Sequence, residues 1–278
     1  MKDVKRIAKE LFSTCYLVEK EIVGHPDAVA ERWGKANSIR HGHTIRAILR
    51  YARSSNKDTL KILNASGLAC GHQDFSICKY LRKRYDIEWT VFESPESPHL
   101  SNQKFKELVN MFSVKIELSD LSKVERPYGL ETYDIILFTE IAEHLEHSAL
   151  IRLLRSIRDR LEDDGLLVLS TPNLASLSNR LKLLLGNGDL DYWGDGYRNL
   201  EKGLWGHIVC YDLKRLRRIL NDCGLCCVQE YTFSYGSGHK QRYLRKLVNF
   251  VSHGIANSKS TLFVTAKKSS IREIAFQI

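Results

Sequence analysis

The sequence predicts an α/β fold: a seven-stranded, mostly parallel sheet with helices on both faces, an N-terminal helical extension and a lid-like insertion. Two observations carry this expectation. From Thr59 onward, short apolar runs alternate with longer runs whose apolar residues recur every three or four positions. That is the pattern of parallel strands joined by right-handed helical crossovers. The run Ile135–Phe138 is apolar throughout, as befits a strand covered on both sides.

Each element has its own signal. Residues 3–23 and 40–53 carry apolar residues at helical spacing (Ile7, Leu11, Leu17; Ile45, Ile48, Leu49), with Gly24-His25-Pro26 and Gly34 as punctuation between them. His41 and His43, flanking a glycine, are expected in capping or surface roles. Strands are expected at Leu60–Ala65, Trp89–Glu93, Val114–Leu118, Tyr133–Phe138 and Gly165–Thr171. Helices are expected at Asp74–Arg84, Gln103–Met111 and Ala149–Leu161. Pro172-Asn173 closes the fifth strand. Residues 174–206 combine an amphipathic start with a run rich in glycine, aromatic and acidic residues, and read as a lid. Trp193, Tyr197, Trp205 and Tyr211 either line a substrate pocket beneath it or form the lid's own small core. Helix Asp212–Cys223, a stop at Gly224, strand Leu225–Phe233, a basic link and strand Thr261–Ala266 complete the chain. The expected organisation is a helical cap over 1–57, a main domain over 58–270 with its insertion at 174–206, and a tail at 271–278.

Composition narrows the function classes. The 278 residues suffice for one large core. No segment approaches the roughly 18–20 apolar residues of a membrane span. Lys2, Lys5 and Arg6 are followed by Glu10, Glu19 and Glu21 without a long apolar run, so no signal peptide is expected. The seven cysteines are an odd set lying mostly in apolar segments, which suits reduced thiols and a cytoplasmic protein. Cys223-x-x-Cys226 has no second pair at zinc-ribbon spacing. The net charge of +9 is concentrated at Arg152/Arg155/Arg158/Arg160, Lys214/Arg215/Arg217/Arg218 and Lys240/Arg242/Arg245/Lys246. The first two groups read as solvated helix faces; the other reading is a patch for phosphates.

The chemistry-bearing residues sit past strand ends. Beyond Ile135–Phe138 come Glu140, Glu143 and His144, which at i, i+3 and i+4 share a face if the segment is helical. Two carboxylates and an imidazole together suit a divalent cation or an acid/base site. The first strand ends in Asn64-Ala65-Ser66-Gly67 and continues to Gly71; glycines at such a turn either allow close backbone approach to a ligand or simply make a tight turn. Glu93 ends the second strand, where an acid either accepts hydrogen bonds from ribose hydroxyls or is a plain surface glutamate, and Glu96 nearby competes for the role. Asp120 follows the third strand and either receives an exocyclic amine or caps a turn.

The order of these blocks resembles class I S-adenosylmethionine-dependent methyltransferases: glycine turn, Glu93, Ser119-Asp120, Tyr133-Asp134-Ile135-Ile136 into Glu140-x-x-Glu143-His144-Leu145, then Gly165 through Ser170-Thr171-Pro172-Asn173. The likeness covers roughly residues 58–268 and implies a Rossmann-like fold with S-adenosylmethionine as methyl donor. It implies donor contacts at Asn64, Ser66, Gly67, Gly71, Glu93, Asp120 and Glu140. The family usually has an acid where Asn64 stands and a glycine near Ser66; an asparagine oxygen still accepts a hydrogen bond from an ammonium. The branch of ubiquinone-biosynthesis O-methyltransferases and small-RNA 2′-O-methyltransferases is most similar. It implies a divalent-metal site of Glu140, Glu143, His144 and His207, taking magnesium, manganese, iron or zinc. Without a metal, His144 or His207 is the general base, with Glu143 beside it. The expected acceptor is a small-molecule or saccharide hydroxyl. RNA 2′-O-methylation is the first alternative, and a cofactor-binding or scaffold protein without catalysis the second.

Overall fold

In a computed structural model, residues 2–67, 72–119, 131–187, 206–234 and 257–269 are described. The elements run α1 (Lys2–Glu21), α2 (Asp27–Ser55), β1 (Thr59–Asn64), α3 (His72–Leu81), β2 (Asp86–Glu93), α4 (Gln103–Met111), β3 (Val114–Leu118), β4 (Tyr133–Thr139), α5 (His147–Arg160), β5 (Leu161–Pro172), α6 (Leu177–Leu184), α7 (Leu213–Asp222), β6 (Leu225–Phe233) and β7 (Thr261–Lys268). One seven-stranded sheet has the order β3-β2-β1-β4-β5-β7-β6. β1 pairs in parallel with β2 and β4, and β2 in parallel with β3, whereas β6 and β7 are antiparallel. Strand order reverses beside β1, and in such open sheets ligands bind beyond the carboxyl ends of the strands at the reversal. The turn after β1 therefore lies where a ligand is expected. Among the described residues, no helix is long and apolar enough to cross a membrane.

The chain forms two compact units. The first holds the residues up to Leu137 with Asp159–Val168; the second holds Phe138–Arg158, Leu169–Ser234 and β7. In the first, Leu60, Ile62, Leu63 and Val91 are fully buried. Phe75 of α3 packs edge-on against Phe105 at 5.5 Å between ring centroids, and its ring is tilted against Phe112 at 5.8 Å. Asp134 ties β4 to its surroundings, accepting from the Lys61 amide at 2.8 Å and from the Lys57 ammonium.

In the second unit, Tyr231 stacks on Phe263 at 5.0 Å across the β6–β7 pair. Helix α7 buries Leu213, Leu216, Ile219 and Leu220 and exposes Lys214, Arg215, Arg217 and Arg218. Its basic residues thus form an outer face, with Arg217 paired to Glu230. The basic group Lys240–Lys246 lies outside the described residues.

Three expectations change. Gly34 does not punctuate: α2 runs through it, so the second helix is much longer than 40–53. A Cβ at Gly34 would lie 3.0 Å from the Tyr16 Cα and amide nitrogen, and one at Gly42 would lie 3.1 Å from the Val4 carbonyl. Two turns apart, the two glycines let α1 and α2 approach at backbone distance, which offsets their poor helix propensity of about 1 kcal/mol each. Gly34→Leu is expected to cost about 1–3 kcal/mol by overpacking, measured as a fall in the urea midpoint with unchanged slope.

The second change concerns His41 and His43. They are buried on α2 rather than at its surface, with His41 Nδ1 2.9 Å from Ser76 Oγ. The third concerns residues 140–144, which do not form an α-helix. Glu140 takes a left-handed φ of 54°, and its N–H donates to the Ser170 carbonyl at 2.8 Å. Only a single 3-10 turn, Ala142–His144, follows before α5.

Candidate active site

In the first unit, the turn after β1 is built around Asn64, which is 1% exposed. Its Nδ2 donates to the Gly67 carbonyl at 3.0 Å and to Asp74 Oδ1 at 2.8 Å, while its Oδ1 accepts from the Ser66 amide at 3.0 Å. Ser66 Oγ donates to the Leu137 carbonyl. Gly67 has φ of +79°, a conformation only glycine adopts without strain. A Cβ on Gly67 would lie 3.4 Å from Glu93 Oε2. The glycine turn and the acid ending β2 are therefore neighbours, leaving backbone room beside a carboxylate. Gly71 and Asp120 lie outside the described residues.

In the second unit, Glu143 is buried with its side chain 3% exposed. Its Oε2 accepts from Thr171 Oγ1 at 2.9 Å. Its Oε1 faces His144 Nε2 and His207 Nε2, each at 4.0 Å. The two imidazoles meet edge-to-face at 4.8 Å between ring centroids. His144 Nδ1 lies 2.9 Å from the Gly206 carbonyl, which only accepts, so Nδ1 carries the proton and Nε2 keeps its lone pair. Burial holds the His144 pKa below its ordinary value. Burial first, then the His144 charge, pushes His207 down to about 4. Both shifts favour the uncharged rings.

Glu143, His144 and His207 each offer a ligand-type atom, and the three atoms lie within 4.8 Å of one another. Glu140 does not join this group. Its Oε1 accepts from Ser170 Oγ at 2.7 Å. Successive strand residues point to opposite faces, so Ser170 and Thr171, adjacent on β5, draw Glu140 and Glu143 apart.

The sequence marks Ser170, Thr171 and Asn173 as one strand-ending block but assigns them no supporting role. Ser170 and Thr171 are buried hydroxyls ending the apolar run Leu166–Leu169; that shift from aliphatic to polar was the available signal. Tyr211 is fully buried, its hydroxyl donating to the Ala142 carbonyl at 3.4 Å, and Leu174 N donates to the Tyr211 carbonyl. Asn173 donates to the Asn257 and Lys259 carbonyls at 2.9 and 2.7 Å. The Glu143 carbonyl accepts from Ile208 and Val209 amides at 2.8 and 3.1 Å, which seats the segment carrying His207 beside the 3-10 turn. Trp193, Tyr197 and Trp205 lie outside the described residues, as does most of the expected lid.

A family model described as a methyltransferase domain matches residues 42–230, more than half of the chain. The chain belongs to this methyltransferase family. No curated protein sequence matches it. Among solved structures, it is similar to the CcbJ methyltransferase of Streptomyces caelestis, at 15% identity and TM-score 0.55, covering 92% of this chain and 98% of that one. An S-adenosylmethionine-dependent methyltransferase from Clostridium acetobutylicum gives 11% identity and TM-score 0.51, covering 93% and 98%. Magnesium protoporphyrin IX methyltransferase from Synechocystis, solved with bound SAH, gives 13% identity and TM-score 0.50, covering 96% and 100%. At such identities the likeness shows the fold. The chain is thus a methyl-transferring enzyme, on a fold shared with S-adenosylmethionine-dependent methyltransferases.

Proposed function

We propose that the methyltransferase moves the methyl group of S-adenosylmethionine to a hydroxyl of a small molecule or saccharide. Glu143, His144 and His207 are the proposed place where that hydroxyl loses its proton. The supporting observation is a buried carboxylate facing two imidazoles, each 4.0 Å from it. Methyl transfer from a sulfonium is an in-line displacement, so the enzyme positions donor and acceptor and removes one proton. Proton pick-up falls to the imidazole Nε2 atoms, and Glu143 stabilises the charge that then appears on the ring. Thr171 holds the carboxylate in place, and the Gly206 carbonyl fixes the His144 tautomer.

The donor set also fits a divalent cation: one carboxylate and two imidazoles, with Nε2 of His144 kept as a ligand-type lone pair by the bond at Nδ1. Glu143, His144 and His207 would hold magnesium, manganese, iron or zinc, and the nitrogen share favours the later metals. Such a cation supplies a Lewis acid that lowers the pKa of a nearby hydroxyl. Glu140 is proposed on the donor side instead. Gly67 and Glu93, together with Asn64, Ser66, Gly71 and Asp120, are the proposed seat of the remaining donor contacts. The resemblance to ubiquinone-type O-methyltransferases supports the metal reading. Enzyme stripped with a chelator is expected to lose at least about nine-tenths of its turnover and regain it with one divalent ion. Undiminished turnover after stripping leaves the imidazole-base form.

The identity of the acceptor is tested with trideuteromethyl-labelled S-adenosylmethionine offered with panels of hydroxylated small molecules, saccharides and short RNAs. The expected product is a labelled methyl ether on a small molecule or saccharide, read by mass spectrometry. Label on RNA ribose, with salt-sensitive affinity, favours the second reading, for which the net charge of +9 and the exposed Lys214, Arg215 and Arg218 speak. Donor binding without any labelled product favours the scaffold reading. Glu93→Ala is expected to raise the KM for the donor roughly tenfold, through loss of a charge-assisted hydrogen bond to ribose, with kcat changed less than about threefold.

A further inference from the structure

Asp74, on the first turn of α3, is fully buried and belongs to no part of the mechanism above. Its Oδ1 accepts from Asn64 Nδ2 and from Trp89 Nε1, each at 2.8 Å. Its Oδ2 is buried without a hydrogen-bond partner. A carboxylate met by two neutral donors on a single oxygen is an unfavourable thing to bury. Such groups persist in functional sites more often than in plain core.

What Asp74 does locally follows from the asparagine it touches. Asn64 uses both amide hydrogens and its oxygen, on Asp74, Gly67 and Ser66 respectively. A flipped amide would set its oxygen against the carboxylate and its NH2 against the Ser66 N–H. Asp74 therefore fixes which way round Asn64 sits, and Asn64 in turn holds the carbonyl of Gly67, the residue at φ +79° beside Glu93.

We propose that Asp74 is the positioning residue of the donor turn, acting through Asn64 on Gly67, and that its buried negative charge favours the cationic donor S-adenosylmethionine over the product S-adenosylhomocysteine, which lacks the sulfonium charge. The proposal rests on the donor reading of Gly67 and Glu93. It gives the turn a way to hold the substrate form of the cofactor more tightly than the spent form.

A pH dependence accompanies the geometry. Among the described residues, the ionisable groups acting on or with Asp74 are Glu93 at the end of β2 and Cys78 one turn along α3; Asn64 and Trp89 are neutral. Burial pushes the Asp74 carboxyl up to about 7, against the lowering effect of the Asn64 and Trp89 bonds, and the Glu93 charge adds to the rise. The charged form thus predominates above that pH, so donor affinity rises as pH climbs through neutrality and falls on acidification.

The test is calorimetric affinity of the full chain for S-adenosylmethionine and S-adenosylhomocysteine between pH 6 and 8, with melting temperatures. Asp74→Asn keeps an oxygen for Asn64 and Trp89 and removes only the charge. At pH 8 it is expected to weaken S-adenosylmethionine roughly tenfold, the scale of one charge pair in a protein interior, and S-adenosylhomocysteine less than about threefold. The melting temperature does not fall, and the wild-type pH dependence flattens. The amino group of the cofactor titrates near 8, and comparing variant with wild type at each pH cancels it. Trp89→Phe, which strips one donor from the carboxylate, moves the inflection to higher pH. A folded Asp74→Asn with both affinities and the pH profile unchanged overturns the proposal. So does a lower melting temperature with both ligands weakened alike, the mark of a merely structural role. Failure of the donor reading looks different: wild type binds neither ligand, or Glu93→Ala leaves both affinities untouched.

Discussion

Replacing Glu143 with glutamine is expected to lower turnover by about 10²–10⁴-fold, the usual contribution of positioned acid/base chemistry. The amide is isosteric and keeps an oxygen for the Thr171 hydroxyl, so the 3-10 turn and its surroundings survive. What disappears is the negative charge 4.0 Å from both imidazoles. His144→Ala is expected to act to a similar degree, because it removes the ring anchored to the Gly206 carbonyl. Affinity for S-adenosylhomocysteine should stay within about threefold of wild type in both, since the proposed donor turn is made by other residues. Single-turnover rates with labelled donor, beside calorimetric affinity, separate the two effects. Unchanged turnover in folded Glu143→Gln removes Glu143, and the cluster with it, from the chemistry.

The largest expected loss of stability is at Phe75. The ring is fully buried and touches Phe105 and Phe112; truncation to alanine costs about 3–5 kcal/mol, the range for a buried phenylalanine leaving a cavity. For a chain of this size that corresponds to a fall in melting temperature on the order of 10 °C. Phe75 follows Asp74 on the same helical turn, so donor affinity should weaken along with stability. A Phe75→Leu variant, which leaves a smaller cavity, should recover part of both.

The alternating elements were legible because their periods differ. Two-residue alternation and short apolar runs mark strands, and three- and four-residue spacing marks helices. Residues 103–111 form the expected helix residue for residue. Errors arose where a tertiary contact overrides a local preference. Gly34 looks like a breaker in isolation, and only the backbone of Tyr16 explains why a glycine belongs inside α2. Glu140 to His144 looked helical by spacing, but a backbone bond from Glu140 to Ser170 holds the chain against β5 and leaves one 3-10 turn.

The candidate site was legible in its residues more than in its geometry. Glu143, His144 and His207 could be singled out from the sequence, although His207 lies far along the chain from the other two. Glu140 was grouped with them by spacing, yet Ser170 holds it apart. Asp74 passed unnoticed because an acid in the first turn of a helix is ordinary. Its special position comes from β1 and β2 folding over it, which no local pattern announces.

The claim that Glu143, His144 and His207 act together on the acceptor hydroxyl is tested most directly by diffraction. Crystals grown with S-adenosylhomocysteine are soaked in manganese, and anomalous data are collected. The expected map shows the cofactor against Gly67 and Glu93 and one anomalous peak within ligand distance, about 2.0–2.3 Å, of Glu143, His144 and His207. A fully occupied cofactor with no peak at those three residues, and with the acceptor-side space lying away from them, contradicts it.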